Sequence, residues 1–193
     1  MRKCLSLLLI VILIFSLSAC QSNSESSPDI PEDWTKDYFD DLSYSVDLTW
    51  EKKNYDEDSA HFIHYDILGD NNKLYYTITV SDASYYSTYE EMVTQIKEAD
   101  GEKPDNNSPK ITNVKEWSNG IVDGYIYEAE DDDVDENDDI IPKNSANNRT
   151  LSKQLILDHN EIPYTFSCIV YNLEFKDDAF DQFKTVISSI NLE

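Results

Sequence analysis

Residues 44–80 read YSVDLTWEKKNYDEDSAHFIHYDILGDNNKLYYTITV, and their apolar spacing decides the fold class. Tyr44, Val46, Leu48 and Trp50 alternate with Ser45, Asp47 and Thr49; Ile63, Tyr65 and Ile67 alternate with His64 and Asp66; Leu74, Tyr76, Ile78 and Val80 alternate with Tyr75, Thr77 and Thr79. A period of two places each apolar set on one side of an extended chain, the signature of half-buried strands. Gly69-Asp70-Asn71-Asn72 supplies a turn between the second and third. Strands joined so closely must pair antiparallel.

The period then changes. Ser87 with Glu90 three residues on makes a capping box. Tyr89, Met92, Val93, Ile96 and Ala99 follow as one helical stripe, closed by Gly101 and Pro104. Beyond it, Ile111 to Trp117 and Ile121 to Glu128 flank Asn119-Gly120, which predicts a type I′ hairpin. Leu151 to Leu157 and Tyr164 to Tyr171 read as two more strands joined by Asp158 to Pro163, with Leu151, Leu155, Leu157, Tyr164, Phe166, Cys168 and Val170 inward. A last helix spans about Asp177 to Ser189, with Phe180, Phe183, Ile187 and Ile190 on one face. The expected fold is α+β: an antiparallel sheet of about six to seven strands, in βββα-ββββα order, with two main helices covering a sheet face.

That order resembles the PsbP-like family, typified by an extrinsic subunit of photosystem II. The resemblance rests on Tyr44-Ser45-Val46-Asp47-Leu48-Thr49-Trp50, on Ser87-Thr88-Tyr89-Glu90-Glu91-Met92, on Asp123-Gly124-Tyr125 and on the tail from Tyr164 to Ile190. Thr49 stands before Trp50 where the family usually carries Pro. The resemblance covers residues 42–193 and implies an accessory or binding subunit without a shared catalytic centre.

The N-terminus carries an address. Arg2 and Lys3 precede an apolar run from Leu5 to Leu17, too short for a permanent span, and the chain turns polar after Cys20. Leu17-Ser18-Ala19-Cys20 resembles the lipobox of bacterial lipoprotein signal peptides. In that family the Cys thiol receives a diacylglyceryl group and the peptide bond before it is cut. The expected organisation is therefore a signal peptide at 1–19, then lipidated Cys20 and a flexible tether over 20–41. Within that tether Pro31 to Leu42 is predicted as a short helix, and a single domain occupies 42–193. Two or three acyl chains give stable anchoring, so the protein is expected at the cell membrane, facing outward.

Charge limits the partners. The full chain has 15 basic and 39 acidic residues, a net charge of −24; loss of Arg2 and Lys3 leaves 13 against 39, or −26. Such a surface repels nucleic acid. Besides the membrane reached through the lipid on Cys20, an unknown protein or small ligand is the expected partner. Residues 130–139 hold eight carboxylates in ten positions. Asp131, Asp133 and Asp135 imitate the first ligands of a calcium loop, but the Gly at the sixth place and the Glu at the twelfth are missing in both registers. A solvated acidic loop over 129–148, with weak divalent-cation association, is the expectation.

No catalytic set stands out. Cys168 lies on the apolar phase of a strand and reads as core. His64 and Asp66 share a strand face while His61 points away, too few ligands for zinc. With four Gly in the chain, a backbone phosphate cradle is unexpected. Tyr85, Tyr86, Tyr125 and Tyr127 are candidates for a binding face. The sequence thus favours a lipid-anchored binding or accessory protein with no cofactor; the alternative is an enzyme whose carboxylates converge in a cleft.

Overall fold

A computed structural model describes residues 30–57, 60–69, 72–84, 87–102, 109–131 and 150–193. The leader, Cys20, the spacer 21–28, Tyr85, Tyr86, Asp133 and Asp135 lie outside the described residues. The chain is α+β, with strands β1 (Trp34–Phe39), β2 (Leu42–Asp47), β3 (Glu51–Glu57), β4 (Ala60–Leu68) and β5 (Leu74–Asp82) ahead of helix α1 (Tyr89–Ala99). Strands β6 (Lys110–Ser118), β7 (Asp123–Asp131), β8 (Thr150–His159) and β9 (Ile162–Val170) precede α2 (Lys176–Ser188) and a short β10 (Asn191–Leu192). A seven-stranded antiparallel sheet runs in the order β3-β4-β5-β9-β8-β7-β6, and β1-β2-β10 form a second, three-stranded sheet.

Alternation sorts the large sheet into two faces. Tyr76, Ile78, Val80, Leu155, Leu157, Tyr164, Phe166, Cys168 and Val170 are buried on one of them. There α2 docks through Ala179, Phe183, Val186 and Ile187, and the small sheet adds Phe39, Leu42, Tyr44 and Val46 to the same core. The opposite face presents Tyr127, Ala129 and Ile156, which take Ile96 of α1. The two helices therefore cover opposite faces, not one shared face. The reason is visible on β8: Ile156 is as buried as its neighbours Leu155 and Leu157, so this strand needs apolar cover on both sides.

Three other local expectations change. Residues 31–42 form no short helix: Trp34–Phe39 pairs with Leu42–Asp47 as a hairpin. Phe39 thereby reaches the core, and residues 34–41 belong to the domain and not to the tether. The strand expected from Tyr44 to Trp50 stops at Asp47, whose carboxylate accepts from the Thr49 backbone N–H at 2.8 Å and from its hydroxyl at 2.8 Å. That turn leaves Leu48 exposed and starts β3, an edge strand too charged to show a period. The α1 cap is Thr88, not Ser87: its side chain accepts from the Glu91 N–H, and Glu91 accepts from the Thr88 N–H.

The turn chemistry also moves. At Asn119-Gly120 only Gly120 has positive φ (84°), and Asn119 Oδ1 accepts from the N–H groups of Ile121 and Val122, making a wider loop. The two-residue turn with positive φ at both positions is Asn160-Glu161 (56° and 65°), with His159 opposite Ile162. A left-handed conformation costs a side-chain-bearing residue about 1–2 kcal/mol. Glu161→Gly should therefore raise stability by about 1 kcal/mol, read as a higher urea midpoint at unchanged slope.

A hydrogen-bonded chain locks the small sheet to the large one. The Tyr65 hydroxyl donates to Asp37 Oδ2 at 2.7 Å, and Tyr44 lies 2.9 Å from the Tyr65 oxygen. Lys52 Nζ sits 2.8 Å from Asp37 Oδ1, and the Tyr38 N–H donates to the same oxygen at 2.8 Å. Burial pushes the Asp37 carboxyl up, but Lys52, Tyr65 and Tyr38 together hold it below its ordinary value of 3.8. A carboxyl depressed in the folded state lends stability above its unfolded pKa and loses it as pH falls through the folded one. Asp37→Asn should flatten the loss of stability below about pH 4 in acid-denaturation curves while lowering stability at neutral pH.

Candidate functional site

Two polar constellations stand on the large sheet. The first is on the α1 face, away from the helix. His64 and Asp66 on β4 lie beside Thr79 and Thr77 on β5 and Lys53 on β3, by strand register. His64 Nε2 is 2.7 Å from Asp66 Oδ1, and Nδ1 is 2.9 Å from Thr79 Oγ1. A carboxylate only accepts, so Nε2 carries the proton, and in the neutral tautomer Nδ1 accepts from the Thr79 hydroxyl. The other Asp66 oxygen accepts from Lys53. The arrangement is a hydroxyl–imidazole–carboxylate–ammonium chain. Its ammonium already stands where a metal cation would approach Asp66. His61 lies on the opposite face, edge-on to Phe39 at 4.8 Å, and His159 sits in the β8–β9 turn beside Asn160. The fold therefore does not gather the three histidines. Among the described residues no three His, Cys, Asp or Glu side chains group as a metal site.

The second constellation is a groove on the α2 face, along β6, β7 and β8. Pairing of β6 with β7 slips between Thr112 and Lys115, and Asn113 takes a positive φ of 61° there. The bulge opens a space of about 400 Å³ that Asn113, Lys115, Glu128 and Lys153 help to line. Glu128 also borders an adjoining space of about 280 Å³ reaching Lys176 and Phe180 at the start of α2. Glu128 accepts from Asn113 Nδ2 at 3.0 Å and pairs with Lys153 at 3.4 Å. The Lys153 and Lys176 ammonium groups lie 4.8 and 5.7 Å from the centre of the Phe180 ring. Two ammonium groups beside one aromatic ring, with Lys115 also lining the first space, are a local exception on a chain of net charge −24.

The other residues singled out by sequence are placed as follows. Cys168 is 0 % exposed; burial drives its thiol up, against the nearby Lys153, so it is core and not a nucleophile. Tyr127 is buried under α1, bonded to Gln154 at 2.7 Å, with burial pushing its phenol up to about 12. Tyr125 packs in the same cluster, its ring 4.0 Å from Lys97 Nζ. Both are spent on packing α1 and form no free binding face. Asp131 closes β7 opposite Thr150. Glu128, Lys153 and Lys176 were not singled out by sequence, and Phe180 only as part of the last helix's apolar face. One signal was available: Lys176 opens a helix, where the macrodipole disfavours a cation.

The chain matches no protein-family model and no curated protein sequence. Among solved structures it is similar to cyanobacterial PsbP (CyanoP) from Synechocystis sp. PCC 6803, at 10% identity and a TM-score of 0.45, over 83% of this chain and 91% of that one. It is also similar to PA94 from Pseudomonas aeruginosa, described as a putative regulator, at 10% identity and a TM-score of 0.40, over 79% of this chain and 94% of that one.

Proposed function

We propose that this chain is a lipid-anchored binding or accessory protein without catalytic activity, held on the outer side of the cell membrane by acyl chains on Cys20. The observation that carries the reading is the Leu17-Ser18-Ala19-Cys20 box after a short apolar run, followed by a polar spacer. The first strand of the domain begins at Trp34. A spacer with the Ser-, Asn- and Glu-rich composition of Gln21 to Pro28 would reach about 15–20 Å, enough to clear lipid headgroups. A binding role agrees with the groove, where Glu128 is engaged by Lys153 and Asn113 in a manner suited to a charge contact. The acidic surface selects against nucleic acid and leaves cations, basic proteins or ligands of no net charge.

Mass spectrometry of the native protein tests the anchor. The expected N-terminus is Cys20 bearing a diacylglyceryl group, with residues 1–19 gone. Cys20→Ala should abolish the lipid mass and leave the leader uncut. An unmodified Cys20 thiol in the mature protein overturns the reading.

A further inference from the structure

We propose that the groove between the β6 bulge and the start of α2 binds a small zwitterion, an amino acid or dipeptide with an apolar side chain; the inference rests on the binding reading above and names its ligand class. Four observations point there. The two spaces, about 400 and 280 Å³, share Glu128 in their walls, and their size suits a ligand of one or two residues. Charges of both signs line the groove: Glu128 borders both spaces, Lys115 and Lys153 line the first, and Lys176 and Glu130 line the second. Among the described residues Lys115 and Lys176 form no ion pair, and each ammonium can meet a ligand carboxylate. Phe180, half-buried beneath the Lys153 and Lys176 ammonium groups, offers an apolar wall beside them.

The site also breaks two local rules, the usual mark of residues kept for contact and not for folding. Lys176 lies at the positive end of the α2 dipole, and Asn113 holds a left-handed backbone within a strand. In the bound state the ligand's ammonium donates to Glu128, sharing it with Lys153 and Asn113. Its carboxylate accepts from Lys176, and its side chain lies on Phe180. The overall negative charge would turn away a plain anion, whereas a zwitterion carries no net charge and meets no such barrier.

Isothermal titration of the full chain in detergent micelles tests this, with glycyl-phenylalanine as probe against its N-acetylated and C-amidated forms. The free dipeptide should bind saturably at one site, and blocking either end should weaken it at least about tenfold, the loss of one charge-assisted contact. Glu128→Gln should remove the penalty for acetylation and Lys176→Gln the penalty for amidation. Equal binding of free and blocked forms, or no saturable heat up to about 10 mM, overturns the proposal. Should either variant fail to fold, the free-versus-blocked comparison on the unaltered chain decides alone. A lipidated chain that gives no heat removes this ligand and leaves the anchor standing; an unlipidated chain that discriminates the blocked forms does the reverse.

Discussion

Gly124→Ala is expected to destabilise the domain by about 3 kcal/mol or more, at the upper end of what overpacking does. A Cβ built on Gly124 would stand 2.2 Å from the Ile156 carbonyl oxygen, 3.2 Å from its carbon and 3.3 Å from Leu155 Cδ1. The first two are backbone atoms of the neighbouring strand and cannot swing aside as the end of a side chain could. Relief requires β7 to separate from β8, where Gly124 pairs with Leu157. It also disturbs Ile126, Leu155 and Leu157, all in the main core. For a protein of this size the loss corresponds to a fall in Tm of about 10 °C. Gly120→Ala is the contrast: no atom lies within 4 Å of its Cβ, and the cost there comes only from its positive φ of 84°, about 1–2 kcal/mol. Thermal unfolding of the two variants should rank them in that order; the reverse ranking would mean that the close approach of β7 to β8 is absent.

Gly124 shows where sequence stops informing. Its neighbours Asp123 and Tyr125 make a recognisable short motif, but the closeness of the Ile156 carbonyl depends on pairing across a long sequence gap. The periods of β4, β5, β9, α1 and α2 were legible because each element has one strongly apolar side, whereas the consecutive buried residues Leu155, Ile156 and Leu157 of β8 hid its second apolar face. β3 was not legible: Glu51, Lys52, Lys53 and Asn54 open an edge strand that gives the core little to select on. β1 misled because Trp34, Tyr38 and Phe39 also fit a helical spacing, and only their pairing with β2 decides. The I′ turn was missed for a related reason. Asn-Gly is the residue pair that tolerates two positive φ angles best, yet here the Asn119 carboxamide caps the loop itself and ties it to the Ile190 carbonyl at 2.7 Å. Register leaves Asn160-Glu161 no alternative, so the strand pairing imposes what the residues alone would not choose.

The candidate groove was least legible, and the physical reason is general. Lys153 and Glu128 follow from neither strand's own pattern; they meet because β7 and β8 register them directly opposite. Cross-strand charge pairs follow from register, and register follows from the buried faces. The core thus positions the polar residues above it, and the chemistry of the groove depends on apolar residues that never touch it.

That dependence gives the second large effect. Phe183→Ala should cost about 3–5 kcal/mol, through lost transfer free energy and the cavity left behind. Phe183 is 0 % exposed and sits at the centre of the α2 stripe with Ala179, Val186 and Ile187, against the main sheet. Two-state domains hold about 5–15 kcal/mol in all, so this change removes a large share of the total. Phe180, three residues earlier, faces the rim and is only partly buried. Phe180→Ala should cost less, about 2 kcal/mol of stability, because that ring packs at the edge of the core and is only partly buried. On dipeptide binding the relation between the two variants inverts. At a temperature where both are folded, Phe183→Ala leaves Lys153, Lys176 and Phe180 in place, so its affinity for glycyl-phenylalanine stays near that of the parent chain. Phe180→Ala removes the apolar wall, so its affinity falls to that of glycyl-glycine, which has no side chain to lose. Urea denaturation and titration calorimetry on the same two proteins read both axes. If stability and affinity fall together in both variants, the groove is only a by-product of folding; if they separate, α2 carries one residue that holds it to the sheet and another that meets the ligand.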